Sequence, residues 1–131
     1  METTLYLTQH IETNNFTDAA LMDKFTRLWQ EGTRHVVAGQ PMYAVYHHYH
    51  SDYRGDYTCS IATENAPPQA AETLVIPACQ WQIYICTADT LVPTWQQIWQ
   101  DEESGKLSRL YQVDYEKHLS DGRVEIYIGI R

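Results

Sequence analysis

The sequence predicts an α+β fold: two pseudo-symmetric strand–helix–strand–strand repeats that form one mainly antiparallel sheet, with two helices on one face and a ligand cleft. Three observations predict this architecture. The chain has 131 residues, which suits a single domain with a sizeable core. Two stretches show helical periodicity, and most of the others alternate as strands do. The order of these stretches in about residues 1–64 returns in about residues 72–131, so we expect one domain over residues 1–131 built from two repeats.

The first repeat opens with the predicted strand "TLYLTQHIE" and continues with the predicted helix "FTDAALMDKFTRLWQEGTR". We expect Thr17 or Asp18 to cap this helix and Gly32 to lie at its end. Two predicted strands follow, "MYAVYHHYH" and "YTCSIATE", joined by the turn "SDYRGD". The next stretch, "NAPPQAAE", has two prolines and no periodicity, which is typical of a linker.

The second repeat begins with the predicted strands "ETLVIP" and "QWQIYICTA". Its helix, "PTWQQIWQDEESG", has Pro93 near the first turn, Gly105 at the end, and Trp95, Ile98 and Trp99 on one face. Two further strands, "LYQVDYEKH" and "RVEIYIGIR", flank the turn "LSDG". Laid on the first repeat, this pattern matches several positions in order: Phe25 with Trp95, Leu28 with Ile98, Trp29 with Trp99, Tyr43 with Tyr111, Val45 with Val113, Gly55 with Gly122, Thr58 with Glu125 and Ser60 with Tyr127.

Composition excludes several function classes. The net charge is −8 and the nine Lys and Arg residues are scattered, so we expect no nucleic-acid binding by the isolated chain. The start "METTLYLTQH" lacks the features of a signal peptide and no membrane span is present, so we expect a cytoplasmic protein with three reduced cysteines. Ten Tyr and four Trp against two Phe favour a pocket or an interface, because these side chains pair an apolar body with a polar group.

The last strand contains one residue that does not fit a plain strand. Its even positions, Val124 to Ile130, are β-branched and are expected to lie under the helices, which sends Glu125 and Tyr127 to the opposite face. A carboxylate there is either solvated on an open face or lines a pocket. Because a twisted sheet is concave, we favour a pocket in which the Tyr127 hydroxyl holds Glu125 while the site is empty.

Other motifs give weaker indications. In "HHYH", His48 and His50 share a strand face, but no carboxylate or cysteine motif supports a metal site, and a half-exposed polar face explains them better. The stretch "SDYRGDYT" lacks the alternating ligands of a calcium loop and is predicted to be a hairpin turn. No nucleophile motif is present, so we predict no catalytic nucleophile, no metal and no cofactor.

The stretches "YAVYHHYHSDYRGDYTCSIATE", "LVIPACQWQIYICTA", "PTWQQIWQ" and "VEIYIGIR" resemble the GyrI-like, AraC-type effector-binding domain family over nearly the whole chain. Members are small-molecule modules of multidrug-sensing bacterial transcription regulators, or stand-alone drug- or toxin-binding proteins. The resemblance implies an aromatic cleft with a buried carboxylate that meets lipophilic cations. It matches that carboxylate to Glu125 and a helix tryptophan to Trp95 or Trp99. Gly129 departs from the family pattern, which usually has proline there.

The sequence therefore predicts a stand-alone protein that takes lipophilic, cationic aromatic compounds into a cleft. The expected ligand-binding residues are Glu125, Tyr127, Trp95, Trp99, Trp81 and Tyr46. Two alternatives follow from the same resemblance. One is a hydrolase of strained-ring electrophiles in which Glu125 is the general base. The other is an inhibitory partner of a protein such as DNA gyrase.

Overall fold

The computed structural model describes residues 2–34, 39–65 and 72–131. In that part of the chain the elements follow this order: β1 (Thr3–Thr13), α1 (Leu21–Gly32), β2 (Met42–His47), β3 (Tyr57–Thr63), β4 (Thr73–Ile76), β5 (Gln80–Thr87), α2 (Leu91–Glu103), β6 (Asp114–His118) and β7 (Arg123–Ile130). A short 3₁₀ turn, Ala88–Thr90, leads into α2. Most of the predicted linker "NAPPQAAE" lies outside the described residues.

All the strands form one antiparallel sheet with the order β4-β1-β3-β2-β6-β7-β5. The first repeat contributes β1-β3-β2 and the second contributes β6-β7-β5, which is the same order reversed. The two repeats therefore meet where β2 pairs with β6, and the pseudo-twofold axis passes between these strands. The predicted α+β architecture of two strand–helix–strand–strand units is confirmed, with β4 added beside β1.

Both helices pack on the same face of the sheet. Leu28 of α1 lies in a cluster with Ile61 and Cys59 of β3, and Ile98 of α2 lies in another with Ile126 and Ile128 of β7. The prediction that the isoleucine face of the last strand lies under a helix is confirmed. Neither helix has the length and apolar character needed to cross a membrane, as far as the described residues go.

The C-terminal end of α1 lies very close to β3. A Cβ atom built on Gly32 would lie 2.8 Å from the Cβ of Ile61, which is fully buried. Real Cβ atoms do not approach this closely, so a side chain at position 32 would push the helix away from the sheet. Gly32 therefore sets how near α1 approaches the sheet, and with it one wall of the space between the two helices.

Two local expectations differ from the structure. The N-cap of α1 is Ala20, without a side-chain cap. Asp18 lies two residues earlier and accepts hydrogen bonds from the Ala20 backbone N–H, Thr13 and Lys24. The strand expected over 110–118 begins only at Asp114, because Tyr111 takes a positive φ of 57°. The matches of Tyr43 with Tyr111 and of Val45 with Val113 therefore do not hold.

A buried histidine lies on the sheet face opposite the helices. His47 is 5 % exposed, and its Nε2 lies 2.8 Å from the Ser60 hydroxyl. Burial, followed by the nearby His48 and His10, lowers the pKa of His47 from 6.5 to about 4. The folded protein therefore resists protonation of this ring in a range where the unfolded chain accepts a proton.

We expect His47 to make the fold sensitive to mild acid. Its contribution to stability is complete above the unfolded pKa of about 6.5 and is lost as the pH falls toward about 4. Between pH 7.5 and pH 5 the loss should be about 2 kcal/mol of the free energy of unfolding. Urea unfolding at both pH values should show a smaller pH dependence in His47→Gln, whereas exposed His50→Gln should match the wild type. An unchanged pH dependence in His47→Gln would contradict this account.

Candidate functional site

An aromatic cleft lies between the two helices on the helix-bearing face of the sheet, with a volume of about 400 Å³. This volume is within the usual range for small-molecule pockets. Its lining residues come from α1, α2, the central strands and the loops beside them: Asn15, Leu21, Met22, Phe25, Trp29, Tyr46, Tyr49, Tyr53, Tyr57, Leu91, Val92, Trp95, Trp99, Arg109 and Glu116.

The pseudo-twofold arrangement explains why a cleft forms at this place. Helix α1 packs on β1 and β3, and helix α2 packs on β5, so each helix lies over the outer part of its own repeat. The central strands β2 and β6 then form a floor between the helices. Residues of β2 and β6 on that face, such as Tyr46 and Glu116, consequently point toward the cleft rather than into a helix–sheet contact.

Glu116 is the carboxylate at the floor of the cleft, and it is 1 % exposed. Its Oε2 accepts hydrogen bonds from the Tyr46 hydroxyl at 2.7 Å and from the Trp95 indole Nε1 at 2.7 Å. Its Oε1 lies 2.7 Å from Nε2 of His118, whose ring packs at 4.8 Å from that of Trp29. Donors from three separate elements therefore compensate the burial of this charge.

Burial and the neighbouring carboxylate keep the tyrosine donors in their neutral form. Burial, and next the charge of Glu116, raises the pKa of Tyr46 well above its usual value. Burial likewise raises the pKa of Tyr57, which lies 5.7 Å from Tyr46 between ring centroids. Tyr46 therefore acts as a hydrogen-bond donor to Glu116 and does not itself carry charge at physiological pH.

A second buried carboxylate lies two residues earlier on β6. Asp114 is fully buried; its Oδ2 accepts from Nη2 of Arg109 at 2.7 Å and from the Tyr49 hydroxyl at 2.6 Å. Its Oδ1 accepts from the Gly129 backbone N–H at 2.9 Å, which ties β6 to the end of β7. Burial is the largest single effect and lowers the pKa of Arg109, but the combined effects of Asp114, Tyr49 and Tyr111 outweigh it, and the net pKa lies above the usual range. Arg109 is therefore permanently charged.

The two charged residues that line the cleft, Arg109 and Glu116, differ in how their charges are balanced. Arg109 lines the cleft and Asp114 cancels its charge at 2.7 Å, whereas Glu116 is opposed mainly by neutral donors. His118 adds a positive charge only when it is protonated. In a dry, apolar space the negative charge of Glu116 attracts a cation much more strongly than it would in water.

One end of the cleft is bounded by a cluster of three aromatic rings. Tyr53 stacks on Trp99 with ring centroids 5.3 Å apart, and Phe16 contacts both rings edge-on or tilted. Glu103 at the end of α2 accepts hydrogen bonds from Tyr53 and Arg54. This contact joins the turn after β2 to α2 and sets the distance between the cleft walls at that end.

The structure separates the sequence-predicted site residues into two groups. Trp95, Trp99 and Tyr46 line the cleft between the helices. Glu125, Tyr127 and Trp81 lie on the opposite face of the sheet, outside that cleft. There the Tyr127 hydroxyl donates to Glu125 at 3.0 Å, and the Tyr127 ring stacks on Tyr115 at 4.5 Å. Trp29, expected in the core, packs against it and also reaches the cleft.

The face of the cleft differs from expectation for a physical reason. The cleft between the helices lies on the helix-bearing face of the sheet, so the carboxylate at its floor lies on the face of Ile126 and not on that of Glu125. Cross-strand pairing places Glu116 of β6 beside Ile126 of β7. A ligand role for Glu125 stays a prediction that the geometry of the cleft does not support.

Sequence reasoning missed Glu116, Asp114 and Arg109. In "VDYEKH" the apolar positions are Val113 and Tyr115, so strand alternation assigns the acidic positions to solvent. The available signal was two carboxylates, Asp114 and Glu116, on one face of a strand in a chain rich in Tyr and Trp. That signal identifies a buried face only once a partner strand and donors are known.

Within the described residues, no group of three or more His, Cys, Asp or Glu side chains is arranged to hold a metal ion.

We expect Asp114→Asn to destabilise the protein by about 3–5 kcal/mol, because it leaves the buried Arg109 charge without its counter-ion. Urea unfolding at neutral pH measures this loss. Asp23→Asn, a change of the same kind at an exposed position in the first turn of α1, should stay within about 0.5 kcal/mol of the wild type. Equal stabilities of the two variants would show that the ion pair does not hold β6 in place.

Comparison with known proteins gives structural neighbours only. No family model and no curated protein matches the chain. An integron cassette protein from the mobile metagenome of Vibrio cholerae matches with a TM-score of 0.80 at 16% identity, covering 99% of this chain and 91% of that one. SAV2435, solved bound to tetraphenylphosphonium, matches with a TM-score of 0.67 at 10% identity, covering 99% and 89% respectively. The chain thus shares the fold of these two proteins.

Proposed function

We propose that this protein binds lipophilic, cationic aromatic compounds in the cleft between its helices, with Glu116 as the residue that recognises the positive charge. The observation that carries the proposal is the burial of Glu116 at the floor of an aromatic cleft, held by Tyr46, Trp95 and His118. Burying a carboxylate that is only 1 % exposed costs free energy unless its charge is compensated. Such a carboxylate in the lining of a cavity therefore indicates either recognition of a charged ligand or a structural pair.

The aromatic lining supports the same class of ligand. Indole and phenol rings from both helices and from the floor surround the space above Glu116. A cation over such a ring gains about 0.5–2 kcal/mol when it is desolvated, and a lipophilic cation loses little hydration on entry. Selectivity then depends on charge and apolar surface, so compounds of different shapes can share the site.

The neighbours are compatible with this proposal. SAV2435 was solved with tetraphenylphosphonium, a bulky aromatic monocation, and its fold is shared over nearly the whole chain. Together with the resemblance of "YAVYHHYHSDYRGDYTCSIATE" and "VEIYIGIR", this supports assigning the chain to the GyrI-like effector-binding modules. We propose a module of that kind, whose task is to bind a drug, dye or toxin.

The hydrolase alternative receives less support. A general base needs a free lone pair directed at a water molecule. Glu116 already accepts from two donors on Oε2 and has His118 beside Oε1, so three of its roughly four acceptor positions are in use. The inhibitory-partner alternative stays a prediction.

We expect tetraphenylphosphonium to bind with a Kd near the micromolar range, about −8 kcal/mol. Glu116→Gln should weaken it about 30-fold, which corresponds to about 2 kcal/mol of Coulomb attraction at roughly 8 Å and an effective dielectric constant of about 20. Triphenylphosphine oxide, neutral and similarly shaped, should bind both proteins equally. Isothermal titration calorimetry provides the four affinities.

Glu125→Gln is the matched control, since it makes the same change on the opposite sheet face. It should leave the phosphonium affinity within about twofold of the wild type, because Glu125 is outside the cleft and only partly buried, so solvent screens its charge. If Glu125→Gln weakens cation binding and Glu116→Gln does not, Glu125 is the residue that recognises the positive charge, as the sequence predicts, and the assignment to Glu116 is wrong.

A further inference from the structure

Arg109 has more donor capacity than its structural partner uses. The side chain is 1 % exposed, and its Nη2 donates to Asp114. Its Nε and Nη1 atoms are buried and have no hydrogen-bond partner within the described part of the chain. The Glu102 carboxylate lies 3.9 Å from Nη1, which is beyond hydrogen-bond distance.

Buried donors without partners are unusual because each costs about 1–3 kcal/mol. Here the unpartnered donors belong to Arg109, which lines the cleft. Its guanidinium lies under the rings of Tyr111, at 4.3 Å, and Trp95, at 5.9 Å. Both rings are only partly buried. Part of the cover over the guanidinium therefore consists of side chains that can shift.

Trp95 connects the two polar groups of the cleft. Its Nε1 donates to Glu116 while its ring lies over the Arg109 guanidinium. A cation that pairs with Glu116 competes with the indole N–H for the same carboxylate oxygen. Once that hydrogen bond is released, the indole is free to rotate away from Arg109. One aromatic ligand can then contact both Glu116 and Arg109.

Resting on the proposed function, we propose that the preferred ligands are lipophilic monocations that also carry a neutral hydrogen-bond acceptor, such as a ketone, ester or amide carbonyl, which accepts from Nε and Nη1 of Arg109. The acceptor is neutral for an electrostatic reason. Asp114 and Glu102 lie 2.7 Å and 3.9 Å from the guanidinium, so a carboxylate on the ligand would meet two like charges.

A series on one scaffold tests this inference. The probes are tetraphenylphosphonium and its derivatives with a single para substituent: acetyl as the neutral acceptor, isopropyl as its match in size, and carboxylate. In the wild type we expect the acetyl cation to bind about tenfold more tightly than the isopropyl cation, as a hydrogen bond to a charged donor implies. The carboxylate should gain nothing over isopropyl.

Arg109→Lys keeps a cation beside Asp114 but removes the Nε and Nη1 donors. In this variant the ratio of the acetyl-cation affinity to the isopropyl-cation affinity should fall to about one. Arg123→Lys, at an exposed position on β7, should keep the wild-type ratio. A ratio of one in the wild type, a ratio that survives Arg109→Lys, or a carboxylate that binds more tightly than acetyl would each overturn the inference.

The outcomes also separate this inference from the proposed function. The proposed function fails if tetraphenylphosphonium does not bind, or if Glu116→Gln leaves its affinity unchanged. Should Arg109→Lys not fold, the wild type still decides through the Nε–H resonance of Arg109 in ¹H–¹⁵N spectra. That resonance should shift with the acetyl cation and stay in place with the isopropyl cation. Identical shifts with both cations would overturn the acceptor subsite.

Discussion

The burial of two carboxylates on β6 determines how the centre of this molecule is built. Asp114 and Glu116 lie on the helix-bearing face of a central strand, and both are at most 1 % exposed. Each requires compensation, since an uncompensated buried charge costs several kcal/mol. Asp114 receives a full counter-ion in Arg109, whereas Glu116 receives neutral tyrosine and indole donors together with His118. This difference makes one carboxylate structural and leaves the other electrostatically available.

The compensating donors also organise the elements around the cleft. Tyr49 follows β2, Arg109 precedes β6, and Gly129 is near the end of β7; all three converge on Asp114. Tyr46 and Trp95 join β2 and α2 through Glu116. The polar network therefore holds both repeats in register at the pseudo-twofold axis, where the apolar clusters under the two helices do not meet.

Pseudo-symmetry creates the space, and departures from symmetry give it chemical character. Each helix covers the outer strands of its own repeat, so a gap at the axis follows from the architecture. The two sides of the gap differ, however. On the central cross-strand pair, Ala44 of β2 lies opposite Glu116 of β6. A small apolar residue on one strand and a carboxylate on the other give a floor that carries charge on one side and leaves room on the other.

The sequence alone determined the fold class, the two-repeat organisation and the placement of the isoleucine face, because these depend on periodicity and turn chemistry that neighbouring residues express. It also placed Trp95 and Trp99 on one helical face, since Trp95 and Trp99 are four residues apart. Only the tertiary structure decided which face of the sheet holds the cleft and which carboxylate lies in it. Strand alternation sorts residues into two faces but does not say which face the helices cover. In "VDYEKH" one face carries polar residues and the other carries Tyr and Val, so the pattern alone leaves the choice open. Glu116 became a buried site residue because Tyr46 and Trp95, 70 and 21 positions away, supply its donors, and no local pattern contains that information.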